Sequence, residues 1–103
     1  MSKRKRLEIL AKFIGLEAAH QIIIWLTGKP ESIKRMKKEV EHYDDLSSEL
    51  ASGSWSSSDV LKIKELACVK CRKKLEGYSD LGSGKFRDIE LIVDEIVKSL
   101  GIE

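Results

Sequence analysis

The stretch LEILAKFIGLEAAHQIIIW, residues 7–25, carries the strongest fold signal in the chain. Its apolar residues recur at intervals of three and four, which is the spacing of a helix face. They form two lines, one through Leu7, Leu10, Ile14 and Trp25 and a second through Ile9, Phe13, Leu16, His20 and Ile23. Apolar side chains therefore cover more than half of this helix. Such a helix is either the most buried one of a domain or one that also meets a second chain.

Working outward, we predict that this first helix runs from about Lys3 to Thr27, because Gly28 and Pro30 together form a helix stop signal. Three further amphipathic helices follow, and the serines of the break SGSWSSSD are candidate N-caps for the third. The predicted ranges are about 30–51, 58–76 and 85–100, separated by SGSWSSSD at 52–59 and by GYSDLGSG at 77–84.

Each of the three later helices has one apolar line at helical spacing, and no segment has the alternating pattern of a strand. The lines are Ile33, Met36, Val40, Tyr43 and Leu50; Val60, Ile63, Ala67, Cys71 and Leu75; and Phe86, Ile89, Val93, Ile96 and Leu100. Short connections favour antiparallel neighbours. We therefore predict one all-α domain over residues 1–103, an antiparallel up-down-up-down four-helix bundle with a short basic arm at residues 1–6. The alternative is a three-helix core with a dimer-forming helix.

Composition narrows the class of protein. The 103 residues are 42% hydrophobic and 35% charged, with a net charge of +2, so the molecule as a whole is not a strongly basic nucleic-acid binder. Charged residues such as Glu8 and Lys12 interrupt any secretory signal, and the apolar run IIIWL is far shorter than the ~20 residues of a membrane span. Two cysteines without a targeting segment favour a cytoplasmic protein.

The stretch LACVKCRKKL holds both cysteines, Cys68 and Cys71, in the C-x-x-C spacing of zinc and redox sites. Tetrahedral zinc requires four ligands, and the only histidines, His20 and His42, are isolated on other helices. A redox pair of the thioredoxin type requires a βαβ unit, which this chain lacks. We interpret both cysteines as small buried core residues, with a Cys2His2 metal site as the alternative.

No arrangement of residues predicts catalysis. His20 lies in the apolar sequence AAHQIIIW and is interpreted as a core or interface histidine, whereas His42 lies in an acidic run that is typical of a solvated face. The turn GSGK, residues 82–85, lacks the further glycine and the hydroxyl residue of a phosphate loop, although it could bind an anion weakly. We therefore expect a protein that is not an enzyme and holds no cofactor or metal.

Charge is arranged in blocks along the second helix, which begins with ESIKRMKK and ends with EVEHYDDLSSEL. In an up-down-up-down bundle its basic half lies at the same end as the close of the third helix and the start of the fourth. The candidate polyanion-binding residues at that end are Lys34, Arg35, Lys38, Lys70, Arg72, Lys73, Lys74, Lys85 and Arg87. The alternative is that pairs such as Arg35 with Glu39 are ordinary i,i+4 contacts on solvated faces.

Two functions are predicted from these features. The first is a small non-enzymatic interaction or assembly module that self-associates or docks to another protein through the first helix, because that helix has more apolar surface than a small monomer buries easily. Its candidate interface residues are Phe13, Leu16, His20, Ile23, Ile24 and Trp25. The alternative is an accessory protein that binds nucleic acid at the basic end of the bundle.

Overall fold

The protein is all-α. Its structure, a computed structural model, describes residues 2–27, 30–77 and 89–102. Within these ranges the chain forms four helices and no strand. They are α1 at Lys3–Thr27, α2 at Pro30–Leu50, α3 at Ser57–Glu76 and α4 at Ile89–Ser99. The prediction of an all-α bundle of four helices is confirmed, whereas the predicted residues 85–88 of the fourth helix lie outside the described ranges.

Helix α1 is the centre of the bundle. It packs along its length against both α2 and α3, and it also contacts α4. His20 near its end pairs with Glu39 in the first half of α2, and Arg6 near its start reaches the carbonyl of Leu50, so α1 and α2 run in opposite directions. The contacts of α1 with the three other helices therefore account for its apolar surface on more than one side. This agrees with the first of the two alternatives, in which α1 is the most buried helix of the domain.

Helices α1, α3 and α4 pack on one another, whereas α2 packs on α1 and makes no substantial interface with α3 or α4. This packing corresponds to a three-helix core with one further helix on its outside. The up-down-up-down order of the whole chain and a dimer-forming role for any helix stay predictions.

The apolar line of α3 is buried as the sequence predicts. Its members are Val60, Ile63, Ala67, Cys71 and Leu75. The helix begins with a capping box, in which the Ser56 hydroxyl accepts from the Asp59 N–H and the Asp59 carboxylate accepts from the Ser56 N–H. Local capping and the apolar line thus specify the same helix.

Gly15 sets the distance between α1 and α3. A Cβ atom at this position would lie 2.6 Å from the Ala67 carbonyl oxygen and 2.8 Å from the Lys70 Cβ atom. Lys3 near the start of α1 pairs with Asp59 near the start of α3, and Gly15 near the middle of α1 meets Ala67, so the two helices are parallel. A glycine within a helix usually destabilises it, and here it permits close contact between two backbones.

The apolar line of α2 is less buried than the sequence predicts. Of its predicted members, only Met36 is buried; Val40, Tyr43 and Leu50 are half-buried, and Ser47 takes the second buried position on the helix. The reason is that α2 packs on one helix only, so one narrow stripe of it is covered. None of the described helices is both long and apolar enough to cross a membrane.

Candidate functional site

A groove between α1 and α3 gathers positive charge. Among the described residues that line it, five are cationic and Glu8 alone is acidic. The volume of the groove is about 540 Å³. The cations are Arg4, Lys12, Lys62, Lys70 and Lys73. The groove exists because α1 and α3 are parallel neighbours, so that one row of cations from each helix faces the same cleft.

The groove also has two apolar lining residues, Leu66 and Val69 of α3. The Glu8 carboxylate is 3.7 Å from the Nε atom of Arg4, so this negative charge is paired inside the groove. Lys12, Lys62 and Lys73 are exposed and Lys70 is half-buried. The groove is therefore a cationic surface on which a chain of negative groups could neutralise several charges together.

The described residues of the predicted basic end lie on α2 and α3. Lys34, Arg35 and Lys38 are exposed on α2, and Arg72 and Lys74 are exposed on α3, a helix with which α2 has no substantial interface. Lys70 and Lys73 lie in the cationic groove, while Lys85 and Arg87 lie outside the described residues. Glu39, the predicted helical partner of Arg35, pairs instead with His20.

The side chains predicted as an interface lie mostly within the chain's own packing. Ile23 and His20 are buried, and Phe13, Leu16 and Ile24 are half-buried. Phe13 stacks on Tyr43 of α2, with 5.9 Å between the ring centroids. Of the six, Trp25 alone is exposed, at 66% of its surface. Helix α2 of the same chain thus covers much of the apolar face of α1 that was predicted to bind a second chain.

Polar side chains are buried between α1 and α2. Glu17 is 2% exposed, and burial, the hydrogen bond with Asp44 and the negative charge of Asp44 raise the pKa of Glu17 to about 8. The Ser47 hydroxyl is buried without a hydrogen-bond partner among the described residues. This interface therefore combines a buried polar pair with the apolar contacts of α2.

His20 is part of this polar interface. Its Nδ1 atom is 2.7 Å from the Leu16 carbonyl oxygen and its Nε2 atom is 2.5 Å from the Glu39 carboxylate. Both ring nitrogens are therefore engaged in joining α1 to α2. This geometry fits the interpretation of His20 as a core histidine whose hydrogen bonds are satisfied.

The two cysteines have different environments. Cys71 is fully buried in the core, where burial, followed by the nearby Cys68, raises the pKa of its thiol to about 12. Cys68 is half-buried and lines a second groove, between α3 and α4. The core interpretation is confirmed for Cys71, whereas Cys68 has a partly accessible thiol.

Metal ligands do not gather in the described part of the chain, where no three side chains among its His, Cys, Asp and Glu residues are arranged to hold an ion. A zinc site at Cys68 and Cys71 would need further ligands that these residues do not bring to it. The expectation that the protein holds no metal stays a prediction.

The basic residues at the N-terminus belong to α1 from Lys3 onward. Arg6 donates to the carbonyl oxygens of Leu50 and Ser52 and so satisfies the end of α2. Lys3 pairs with Asp59 at 3.3 Å, and Lys3 and Arg6 both lie over the ring of Trp55. Trp55 donates from Nε1 to the Ala51 carbonyl oxygen and packs against the core, so this residue of the α2–α3 connection has a structural role.

Sequence reasoning missed Arg4, Lys12 and Lys62 as members of one site. In a regular square bundle the first and third helices are diagonal and do not touch, so their cations are not placed together. Gly15 was the available signal, because a glycine inside a strongly helical pattern indicates close backbone contact.

Comparison with protein-family models, with curated proteins and with solved structures finds no match to this chain.

Proposed function

We propose that the protein is a non-enzymatic module that binds nucleic acid along the cationic groove between α1 and α3. The observation that supports the proposal is that the described residues of one cleft include five cations and one paired carboxylate. A molecule of net charge +2 carries no strong overall attraction for phosphates, so the local concentration of charge has to supply it.

The length of the groove fits several phosphates. Lys62 and Lys73 are eleven residues apart on α3, which corresponds to about 16 Å along a helix. The backbone of one strand turns around the duplex axis as it advances, so a straight groove of this length follows a few consecutive phosphates. A ligand with only one or two phosphates would neutralise only part of the charge of the five cations.

The lining of the groove favours the backbone of a duplex over a single strand. Its apolar lining residues are Leu66 and Val69, and none of the described residues that line it is aromatic. Proteins that hold single strands stack the bases on aromatic rings. We therefore expect contacts to phosphates alone, with little dependence on base sequence.

The test is fluorescence anisotropy with a short labelled DNA duplex at a series of salt concentrations. Lys62→Glu/Lys73→Glu is compared with Lys34→Glu/Arg35→Glu on α2, because each double variant changes the net charge by four, from +2 to −2. We expect the wild type to bind at low salt and the groove variant to lose binding. Replacing Lys62 and Lys73 by glutamine should lower the slope of log affinity against log salt concentration by about two, one unit for each phosphate contact.

The α2 variant separates the groove from the predicted basic end. If both double variants lose binding equally, net charge rather than the groove is responsible. If only the α2 variant loses it, the basic half of α2 is the site. Absence of binding at low salt, or a base-dependent preference for a single strand, would contradict the proposal. Inorganic polyphosphate that binds where the duplex does not would identify a different polyanion.

A further inference from the structure

Helix α2 is held by the rest of the protein on one side only. It packs on α1 and makes no substantial interface with α3 or α4. Among the described residues, all but two of the buried apolar side chains lie on α1, α3 and α4, and the exceptions are Met36 of α2 and Ala51 just after it. Most of the core therefore belongs to the three other helices. Because a helix in a protein owes most of its stability to packing, α2 depends on its single contact with α1.

The interface between α1 and α2 contains polar groups that burial leaves poorly satisfied. The Ser47 hydroxyl is buried without a hydrogen-bond partner among the described residues. Glu17 is 2% exposed and shares a hydrogen bond with a second carboxyl group, that of Asp44. Since an ionised carboxylate can only accept, this hydrogen bond exists only while one of the two groups keeps a proton. Closure of α2 on α1 therefore retains a proton at this pair.

The titratable groups around Glu17 come from α1 and α2. Each cause that shifts the pKa of Glu17, which is burial and then the hydrogen bond and charge of Asp44, raises it. No described side chain of α3 or α4 is among these causes. The other titratable side chains along or beside this interface are His20, Glu39, His42 and Tyr43. Glu17 is therefore the group in this interface whose ionisation the closed structure opposes.

We propose that α2 opens from α1 by local unfolding while α1, α3 and α4 stay packed, and that loss of the proton shared by Glu17 and Asp44 drives this opening. Both ends of α2 are held close to α1. The helix begins at Pro30, soon after α1 ends at Thr27, and Arg6 of α1 donates to the Leu50 carbonyl at its other end. A helix held at both ends cannot swing away as a rigid body, so its middle unfolds instead. Separate opening of one weakly packed unit is common in native proteins.

The direction of the pH dependence follows from the position of the proton. In the open form Glu17 meets water and titrates near its ordinary pKa of 4.5, whereas in the closed form its pKa is raised to about 8. Between these values the closed form holds a proton that the open form has released. The equilibrium constant for opening is therefore lowest below a pH of about 4.5, rises about tenfold with each pH unit up to about 8, and is constant above it.

Opening uncovers the side of α1 on which Phe13 stacks against Tyr43. It leaves the cationic groove in place, because none of the described residues that line the groove belongs to α2. The inference therefore does not rest on nucleic-acid binding. A protein that binds no nucleic acid can still open, and one that binds a duplex can stay closed.

The first test is thiol labelling of the double variant Cys68→Ser/Ser47→Cys. Position 47 is buried where α2 meets α1, whereas the native Cys71 is buried where α3 meets α1 and reports on unfolding of the core. Mass spectrometry assigns the label to each position. The rate at each thiol is divided by its rate in urea-unfolded protein at the same pH, which removes the effect of thiol ionisation.

We expect this ratio at position 47 to exceed that at Cys71 by about tenfold or more at every pH, because α2 opens without the core. It should also rise about tenfold per pH unit between about pH 6 and pH 8. Adding Glu17→Gln should abolish that rise, because glutamine does not ionise. Glu49→Gln, the same change at an exposed position of α2, is the matched control and should keep it.

Equal ratios at the two thiols would show that α2 and the core unfold as one unit, and would overturn the proposal. A rise with pH that survives Glu17→Gln would remove the role of this proton and also overturn it.

The second test needs no new cysteine. Hydrogen exchange of the wild type, read by mass spectrometry at pH 8, should show lower protection factors in residues 36–47 of α2 than in residues 63–71 of α3. Glu17→Gln should raise protection in α2, and Glu49→Gln should not. Equal protection of the two helices in the wild type, or no gain in α2 from Glu17→Gln, contradicts the proposal.

Discussion

The carboxyl group of Glu17 on α1 shares a hydrogen bond with that of Asp44 on α2. Glu17 is 2% exposed, and desolvation is the largest cause of its raised pKa, followed by Asp44. Below a pH of about 8, Glu17 keeps a proton that it can donate to Asp44. Further polar contacts between α1 and the residues of α2 are made by His20 with Glu39 and by Arg6 with the Leu50 carbonyl.

Stability should therefore depend on pH through Glu17. In the unfolded chain this group titrates near 4.5, and in the folded protein it titrates near 8. Between these values the folded protein holds a proton that the unfolded chain has lost, so stability is full below about 4.5 and falls as pH rises to about 8. The loss should approach 1.4 kcal/mol per pH unit in this window, as for any single group.

Glu17→Gln provides the check by urea denaturation at several pH values. Glutamine keeps an N–H donor for Asp44 and cannot ionise, so the variant should lose this dependence and exceed the wild type in stability at pH 8. Asp44→Asn should only narrow the pH range over which stability falls, because burial is a larger cause of the raised pKa of Glu17 than Asp44 is. A wild type whose stability is constant from pH 5 to pH 8 would contradict the buried pair.

Gly15→Ala should destabilise the protein, although the same change in an exposed helix stabilises it by about 1 kcal/mol. The new Cβ atom would overlap the Ala67 carbonyl and the Lys70 Cβ atom, so α1 and α3 must separate. We expect a loss of about 1–3 kcal/mol in the free energy of unfolding. Gly77→Ala is the control, because Gly77 has a helical φ of −71°. A Cβ atom added there would lie 3.4 Å from its nearest neighbour, the Lys74 carbonyl oxygen. Equal stability of the two variants would show that the helices are not in close contact at Gly15.

Cys71→Ala should lower stability by about 1 kcal/mol through loss of a buried sulfur atom. Cys71→Ser should lower it further, by about 1–3 kcal/mol, because its hydroxyl would lie in a part of the core formed by apolar side chains. Cys68→Ser, at a half-buried position, should change stability little. Stoichiometric zinc in protein purified without added metal, lost in both serine variants, would replace the core interpretation by a metal site.

Arg6→Met should destabilise the end of α2. The variant keeps the apolar stem over Trp55 and removes the donors to Leu50 and Ser52, so we expect a loss of about 1–3 kcal/mol. Lys5→Met, which removes an exposed positive charge one residue earlier, should have little effect. The measurement is thermal unfolding. Equal effects of the two variants would mean that residues 1–6 act only as a basic arm.

Much of the fold could be predicted from local sequence. The five predicted core positions of α3 are all buried, and the predicted bounds of α1 agree with the structure at both ends. Both features depend on helical spacing and on capping, which act over a few residues. The candidate site could be predicted only in part. Lys70 and Lys73 were among the predicted residues, whereas their neighbours Lys12 and Lys62 were not.

The sequence by itself determined which segments are helical, which face of α3 and α4 is apolar, and that α1 is the most apolar helix. These properties follow from a period of 3.6 residues and are present before any two helices meet. Only the tertiary structure decided which helices are neighbours. Gly15 lets α1 approach α3, and the resulting cleft gathers cations that are far apart in the chain. The reason is that every amphipathic helix offers an apolar face to any other, so the pairing depends on how closely two particular surfaces can pack.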